Sequence, residues 1–349
     1  MTKIPFNPDN ALGDGIYGLP HSPEEAEVVL LPVPWEATAS YGTGTAAGPA
    51  AILEASPHLD LLDRETGTPW EAGIAMLSES AEVAAWNREA RALAEPVLAA
   101  RHPGGDAGLL AKTARVNELG GQLNHWVYDQ ASTWLDREKL VGVVGGDHAV
   151  PFGLIRAAAE RHPGMGILHM DAHCDLRLTF EGFTWSHGSV FRNVMDRLDE
   201  VSRLVQVGIR DYCREEMDYV EAQSGRVHTV FDADLRRGLQ GGASWDSLVD
   251  PVIAELPETV YVSFDIDGLE PSLCPHTGTP VPGGLGFSEA TSLLRKVAET
   301  GRRVVGFDLC EVAPDPTGLT RLDAVVGARV LYKLIGFALL SRPGADQRR

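Results

Sequence analysis

The sequence has few cysteines, no long apolar run and no excess of basic residues. Its four cysteines are far apart in 349 residues and form no CxxC pair. They predict a reduced, cytosolic protein and not a disulfide scaffold. They are Cys174, Cys213, Cys274 and Cys310. No stretch approaches the roughly 18 apolar residues of a membrane span, and residues 1–10 lack the apolar core of a secretory signal.

The charge balance is strongly acidic, with a formal net charge of -19. Such a chain would repel the phosphates of nucleic acids, so we expect no nucleic-acid partner. The excess of acid favours solubility and attracts cationic ligands, but adaptation to a saline habitat would produce the same excess, and both explanations stay open. With 44% hydrophobic and 23% charged residues, the chain can bury a large core.

Seven short runs of aliphatic and β-branched residues predict strands. They span residues 28–35, 140–148, 166–173, 203–211, 227–235, 259–267 and 302–312. Most are apolar on both faces, which is typical of a parallel sheet covered on both sides. Helical patterns lie between the later strands, at 152–162, 190–198, 287–300 and 324–340. This alternation predicts an α/β class fold, a single-domain three-layer α/β/α arrangement with a mostly parallel sheet.

Residues 57–139 depart from this alternation. The first part looks irregular, and residues 86–139 look largely helical, with a break near Pro96 and the HPGGDAG segment. No composition shift marks a domain boundary there, so we interpret 57–139 as a largely helical insert within one domain spanning 1–349. Residues from about 341 onward predict a frayed C-terminal tail.

Polar side chains follow the ends of several predicted strands. In LHMDAHCDLR, residues 168–177, an apolar run ends in Asp171, His173 and Asp175. On an extended backbone, side chains two residues apart point to the same side. Other strand ends add acidic and imidazole groups in GGDH, SFDIDG and GFDLCE. They are Asp147, His148, Asp265, Asp267, Asp308 and Glu311.

These groups are expected to meet, because ligands of open α/β sheets bind at the carboxyl ends of the strands. Crowded carboxylates repel each other, and two divalent cations would remove that cost. Oxygen ligands with some imidazole suit Mn²⁺, and imidazole also accepts Ni²⁺ or Co²⁺. A single strand-end Asp is more often a turn residue, but three on one side predict a metal site. His169, inside its strand, is interpreted as a packed histidine.

Three blocks of the sequence resemble the signatures of the ureohydrolase family, which includes arginases and agmatinases. They are GGDH, DAHCD and SFDIDGLEPSLCPHTGTPVPGG, and the resemblance covers about residues 27–338. It implies an arginase-like fold, two Mn²⁺ or Ni²⁺ ions per chain and release of urea from a guanidinium substrate. It also implies a homo-oligomer, a trimer or hexamer. The implied ligands are His148, Asp171, Asp175 and Asp265 for one ion, and Asp171, His173, Asp265 and Asp267 for the other.

The resemblance implies catalytic roles for two further residues. His187, in SHGSVF, matches the histidine that passes a proton toward the leaving amine, and Glu311, in DLCEVAP, matches the acid that binds the guanidinium. Four carboxylates and a hydroxide against two dications leave about one negative charge, which favours a cationic substrate.

The substrate is the open question. Arginases of the family carry Ser and Asn side chains before the counterpart of His187, whereas this chain has RLTFEGFTW. An arginine carboxylate would lack partners there, so the sequence resembles the agmatinase-like subgroup that includes guanidine hydrolases. We place guanidine first and agmatine second, with Glu181 or Glu36 binding its distal ammonium, and other guanidino acids third. The predicted substrate contacts are Phe180, Glu181, Trp185 and His276.

Two alternatives lie outside that choice. One is a formimidoylglutamate hydrolase, which would release formamide. The other is a non-enzymatic regulatory homologue, which is disfavoured because every implied ligand position is filled. The Gly-rich segment 40–56 lacks the Lys of a phosphate loop and is expected to form a wall of the substrate pocket.

Overall fold

The computed structural model of the chain describes residue 8 and residues 13–342. Within them, eight strands form one sheet in the order β2-β1-β3-β8-β7-β4-β5-β6, and each pair of neighbours is parallel. The strands are β1 Val28–Val33, β2 Ile74–Met76, β3 Leu140–Gly145, β4 Met165–Met170, β5 Val201–Ile209, β6 Val227–Phe231, β7 Thr259–Asp265 and β8 Arg303–Cys310.

Helices cover both faces of the sheet. They are α1 Gly48–Ala55, α2 Ala81–Ala99, α3 Ala107–Leu135, α4 Phe152–Arg161, α5 Val190–Arg197, α6 Arg214–Ala222, α7 Asp232–Gln240, α8 Trp245–Ala254, α9 Phe287–Glu299 and α10 Leu322–Leu340. One hydrophobic cluster joins the sheet to α1 and α7–α10, and a second joins it to α2–α6. The predicted three-layer α/β/α class is confirmed.

All seven predicted strands are present, and each ends two to four residues earlier than predicted. Six of the seven added segments contain acidic, basic or imidazole residues, which lie beyond the sheet; the segment after β1, Pro34 and Trp35, does not. The largest difference follows β6, where the predicted strand continued to residue 235 but α7 begins at Asp232. Asp232 and Asp234 in the first turn of α7 stabilise a helix N-terminus.

The segment 57–139 is largely helical, as predicted, but it also adds β2 to the edge of the sheet beside β1. The prediction missed β2 because three residues carry no periodic pattern. The predicted break occurs at the HPGGDAG segment, between the end of α2 at Ala99 and the start of α3 at Ala107, and not at Pro96. Helix α2 runs through Pro96 to Ala99, because a proline in the last turn removes only one helical hydrogen bond.

The two ends of the chain are described only in part. The predicted tail from about 341 lies outside the described residues after residue 342, and the segment judged for a secretory signal lies outside them except for residue 8. No helix among the described residues has the length and apolar character needed to cross a membrane.

Sheet order explains why the strand-end clusters meet. Strands β3, β8, β7 and β4 are consecutive neighbours near the centre of the sheet. Because they are parallel, their carboxyl ends lie at one edge, and the residues that follow them approach each other there.

Candidate metal centre

The first cluster of ligand atoms surrounds one nitrogen of His148, just after β3. Its Nδ1 lies 3.0 Å from Asp171 Oδ2, 3.1 Å from Asp175 Oδ2 and 3.3 Å from Asp265 Oδ2. All four residues are buried. Three carboxylate oxygens within 3.3 Å of one ring nitrogen offer donors that suit a cation.

A second cluster lies beside the first and is less buried. His173 Nδ1 lies 3.1 Å from Asp267 Oδ2 and 3.4 Å from Asp171 Oδ1. Asp171 therefore turns one oxygen toward each cluster. The hydroxyl of Thr279 donates to Asp267 Oδ2 at 3.3 Å, and the backbone N–H of Ala172 donates to its Oδ1 at 3.1 Å, so Asp267 is held from both sides.

Burial and mutual repulsion perturb the carboxylates of the centre. Burial and the charge of Asp171 raise the pKa of Asp175 to about 7. Burial and the charges of Asp267 and Asp171 raise the pKa of Asp265 well above its usual value. Burial would also raise the pKa of Asp171, but His169 and His148 outweigh it and lower the pKa. The cluster therefore needs positive charge to stay ionised, and its oxygen and imidazole donors fit divalent metals.

The backbone at two of these positions is strained. Asp175 has φ 55° and Glu311 has φ 64°, in the left-handed region that costs a non-glycine residue about 1 kcal/mol or more. Such conformations persist where the surrounding structure fixes them.

A cavity of about 270 Å³ opens from the centre to solvent. Its walls include His173 and Asp175 of the centre, and Ser40 and Tyr41 of the Gly-rich segment, which forms a pocket wall as expected. The other lining residues are Arg177, Phe180, His187, Gly188, Asp211, Glu216, Thr279, Pro280 and Val281.

His187 faces this cavity. Its Nδ1 is buried and has no hydrogen-bond partner among the described residues, and its ring lies 5.3 Å from the ring of Phe180 at 78°. Burial lowers the pKa of His187 to about 4. The ring is therefore neutral at neutral pH and can exchange a proton with a bound group.

Glu311 is a buried acid next to the centre. Its Oε1 accepts a hydrogen bond from the backbone N–H of His148 at 2.9 Å, and none of the ion pairs among the described residues involves it. Burial and the charge of Asp147 raise the pKa of Glu311 well above its usual value. A Cβ at Gly278 would lie 2.9 Å from Glu311 Oε2, so glycine lets the loop before Thr279 approach this carboxylate.

Two predicted substrate contacts have structural roles instead. Trp185 lies outside the cavity, with its ring 4.9 Å from that of Phe152 and its Cβ against Gly120 of α3. His276 is held by Asp323, which accepts from its backbone N–H at 2.9 Å and lies 2.8 Å from its Nδ1. The prediction erred because an aromatic run and a signature block do not reveal which way each side chain points.

The two glutamates expected to bind a distal ammonium do not line the cavity either. Glu36 Oε2 accepts hydrogen bonds from the backbone N–H groups of Gly44 and Ala46 and fixes the Gly-rich segment. Glu181 lies in a tight turn closed by hydrogen bonds between Phe180 and Phe183 and does not line the cavity. Of the predicted substrate contacts, only Phe180 lines it.

The sequence interpretation missed several residues that the structure places in or beside the site. Arg177, Asp211 and Thr279 line the cavity. His169, interpreted as a packed histidine, has its Nε2 2.8 Å from Asp171 Oδ2. A polar residue inside an otherwise apolar strand is the signal that could have found it, because burial of such a group requires a partner.

The chain is similar to known proteins along most of its length. The profile of the Arginase family matches residues 26–336. The N(1)-aminopropylagmatine ureohydrolase of Synechocystis sp. is 31% identical over 317 residues, which cover 90% of this chain and 89% of that protein. The N(1)-aminopropylagmatine ureohydrolase of Thermus thermophilus is 32% identical, covering 92% of this chain and 94% of that protein.

Solved structures show the same fold at lower identity. The agmatine ureohydrolase of Thermoplasma volcanium has a TM-score of 0.71 at 22% identity and covers 94% of both chains. Proclavaminate amidino hydrolase from Streptomyces clavuligerus has a TM-score of 0.71 at 23% identity, covering 96% of this chain and 100% of that chain. The chain therefore belongs to the Arginase family of metal-dependent ureohydrolases.

Proposed function

We propose that this chain hydrolyses the guanidino group of a small cationic substrate to urea at a dinuclear centre containing Mn²⁺ or Ni²⁺. The observation that carries the proposal is the pair of ligand clusters joined by Asp171. Each cluster combines carboxylate oxygens with one imidazole nitrogen. One ion would be held by His148, Asp171, Asp175 and Asp265, and the other by Asp171, His173, Asp265 and Asp267.

When bound, two divalent ions supply a water of lowered pKa and stabilise negative charge that develops near them. Substrate binding and proton transfer are assigned to residues of the chain itself. Glu311, a buried acid with no cationic partner among the described residues, binds the guanidinium and orients its carbon toward the centre. His187, neutral and with a free Nδ1 in the cavity, is placed to take up the proton that the attacking water loses and to pass it to the leaving amine.

The shape of the cavity supports a substrate with a tail. Free guanidine would need only a small closed pocket, but the cavity opens to solvent past Tyr41, which is 83% exposed. At its rim, the Asp211 side chain is 67% exposed, and among the described residues its ion-pair contact is with His173 Nε2 at 3.9 Å. We therefore propose an agmatine-type substrate, whose distal ammonium would be bound by Asp211.

Free guanidine is the second candidate, and Arg177 favours it. The Arg177 guanidinium lines the cavity 5.1 Å above the ring of Phe180, and its Nε lies 4.0 Å from Glu216 Oε2. This fixed cation would repel a second positive charge on a substrate. The same cation would attract the carboxylate of a guanidino acid such as guanidinobutyrate, the third candidate.

A substrate panel tests the proposal. The metal-loaded protein is assayed for urea with agmatine, guanidine, arginine and guanidinobutyrate, and kcat/KM is compared. We expect agmatine to be preferred, and D211N to raise KM for agmatine but not for guanidine. The control is D218N, an exposed acid of α6 that lies 3.9 Å from Arg214, which should change neither value.

Other results would redirect the assignment. A preference for guanidine, unaffected by D211N, would favour the second candidate, and a preference for arginine would contradict the proposal. Formamide from formimidoylglutamate without urea from any guanidino compound would show a different amidine hydrolase. Turnover of no compound by fully metal-loaded protein would favour a regulatory homologue.

We further propose that the chain acts as a single catalytic domain in a cytoplasmic homo-oligomer. The four cysteines are free, which suits a reducing compartment. Light scattering on the purified protein would measure the subunit number, for which we expect three or six.

A further inference from the structure

Five polar side chains form a row across the centre of the sheet, directly beneath the metal centre. His169 of β4 is the register partner of Gln206 on β5 and of Ser263 on β7. The row continues through Thr229, opposite Gln206, and Asp308, opposite Ser263. Four of the five are 0% exposed. We call these five residues the polar row: Asp308, Ser263, His169, Gln206 and Thr229.

One half of the polar row determines which nitrogen of His148 carries the proton. Ser263 Oγ donates to Asp308 Oδ1 at 2.8 Å. A serine hydroxyl has one proton, so toward His148 Nε2, at 2.9 Å, Ser263 acts as the acceptor. His148 therefore carries its proton on Nε2, and the lone pair on Nδ1 faces Asp171, Asp175 and Asp265, where a cation would bind.

The other half of the polar row determines which nitrogen of His169 carries the proton. The amide nitrogen of Gln206 donates to the carbonyl of Cys174 at 2.7 Å and to His169 Nδ1 at 3.0 Å. Its amide oxygen accepts from the hydroxyl of Thr229 at 3.0 Å, which fixes the orientation of the amide. His169 therefore carries its proton on Nε2 and donates it to Asp171 Oδ2 at 2.8 Å.

The ring of His169 is also held from one side. It lies 4.0 Å from the ring of Phe191 on α5 at an angle of 37°. The hydrogen bond to Asp171 therefore has a fixed direction, and it restrains the rotation of the carboxylate that both ligand clusters share.

We propose that the polar row positions the metal ligands His148 and Asp171, and that His169, Gln206, Ser263 and Asp308 are positioning residues of the centre. Burial of polar groups is costly unless they are hydrogen-bonded. Here the bonds of Ser263 and His169 reach His148 and Asp171 directly, and the bonds of Asp308 and Gln206 fix Ser263 and His169. Partners behind metal ligands raise metal affinity by about 10–100-fold in other sites.

This inference deepens the proposed function, on which it rests, because it concerns the same centre. Its test measures metal affinity and not urea release, so it can fail while the proposed function stands. The apo protein is titrated with Mn²⁺ by calorimetry, with folding checked by circular dichroism and thermal unfolding. We expect S263A and H169L to bind Mn²⁺ about 10–100-fold more weakly than the unaltered chain.

Two further variants separate positioning from general stability. H169Q places an amide N–H at the reach of Nε2, so it should recover most of the affinity that H169L loses. N124L replaces a buried amide of α3 whose side-chain atoms have no hydrogen-bond partner among the described residues, and should leave the affinity unchanged.

Several results would overturn the inference. Unchanged Mn²⁺ affinity in folded S263A would show that the Ser263 hydroxyl does not prepare Nδ1 of His148 for metal binding. Equal losses in H169L and H169Q would show that the N–H of His169 is not what matters, and an equal loss in N124L would reduce the effect to general destabilisation. If H169L does not fold, S263A and H169Q decide the question.

Discussion

His148 Nδ1 and Asp171 Oδ2 lie 3.0 Å apart at the carboxyl ends of β3 and β4. The two residues are 23 positions apart in the chain and both are almost inaccessible to solvent. Each is also held from behind, His148 by Ser263 and Asp171 by His169. The contact is therefore a pair of fixed ligand atoms and not a surface ion pair.

Loss of the His187 ring should separate metal binding from turnover. H187A removes the free Nδ1 from the cavity but no atom of either ligand cluster. We expect metal content to stay the same and kcat to fall by about 10²–10⁴-fold, the usual contribution of a general acid or base. Metal analysis and steady-state urea assays measure both quantities.

H276A is the matched control for that variant. His276 is held by Asp323 outside the cavity, so its removal should leave kcat within the same order of magnitude. Loss of metal together with activity in H187A would make His187 a ligand and contradict the proposed role.

Removal of the charge of Glu311 should weaken substrate binding. Glutamine at 311 keeps an oxygen to accept the backbone N–H of His148 but cannot pair with a guanidinium. A hydrogen bond to a charged group contributes about 1.5–3 kcal/mol, so we expect E311Q to lower kcat/KM by about 10–100-fold. E289Q, at an acid that pairs with Arg236 away from the site, serves as control. An unchanged kcat/KM in E311Q would exclude the guanidinium contact.

Low pH should weaken the ion pair between Asp63 and Lys333, which joins residues 57–139 to α10. Burial would raise the pKa of Asp63, but hydrogen bonds from Lys333 and from the backbone of Thr66 and Glu65 lower it below 3.8. Because the folded pKa lies below the unfolded one, the contribution to stability is present above pH 3.8 and is lost as pH falls through the folded pKa.

D63N removes this dependence and should cost up to about 1 kcal/mol at neutral pH. Urea unfolding at pH 7 and in the acid range gives the free energies, and the difference between D63N and the unaltered chain should shrink as pH falls. A difference that stays constant with pH would show that the ion pair with Lys333 at 2.7 Å adds nothing.

The ligand clusters could be predicted from the sequence, because local rules decide them. Three ligand-type residues directly after a buried apolar run mark the end of a strand, and a parallel sheet brings such ends to one edge. Alternation does not extend to them, because β4 ends at Met170 and Asp175 has φ 55°. The polar row could not be found in this way. The contact of His169 with Gln206 depends on which strands are neighbours and in what register, and neither is encoded in the local sequence of β4.

The predicted substrate contacts were less accurate for a related reason. Trp185 lies only two residues from His187, yet its side chain packs on Phe152 and α3. In an irregular loop no fixed period relates neighbouring side chains, so proximity in sequence did not show which of them face the cavity. Arg177 and Asp211 became visible only when the walls of the cavity were assembled from separate loops.

The metal content of D171N tests the central claim most directly. Asp171 contributes one oxygen to each cluster, so its replacement should weaken both ions at once. We expect close to two Mn²⁺ or Ni²⁺ ions per chain before the change and few after it, with urea release lost. D323N, at a buried acid that holds His276, should keep both ions. One tightly held ion in the unaltered chain, or two ions in D171N, would contradict the shared dinuclear centre.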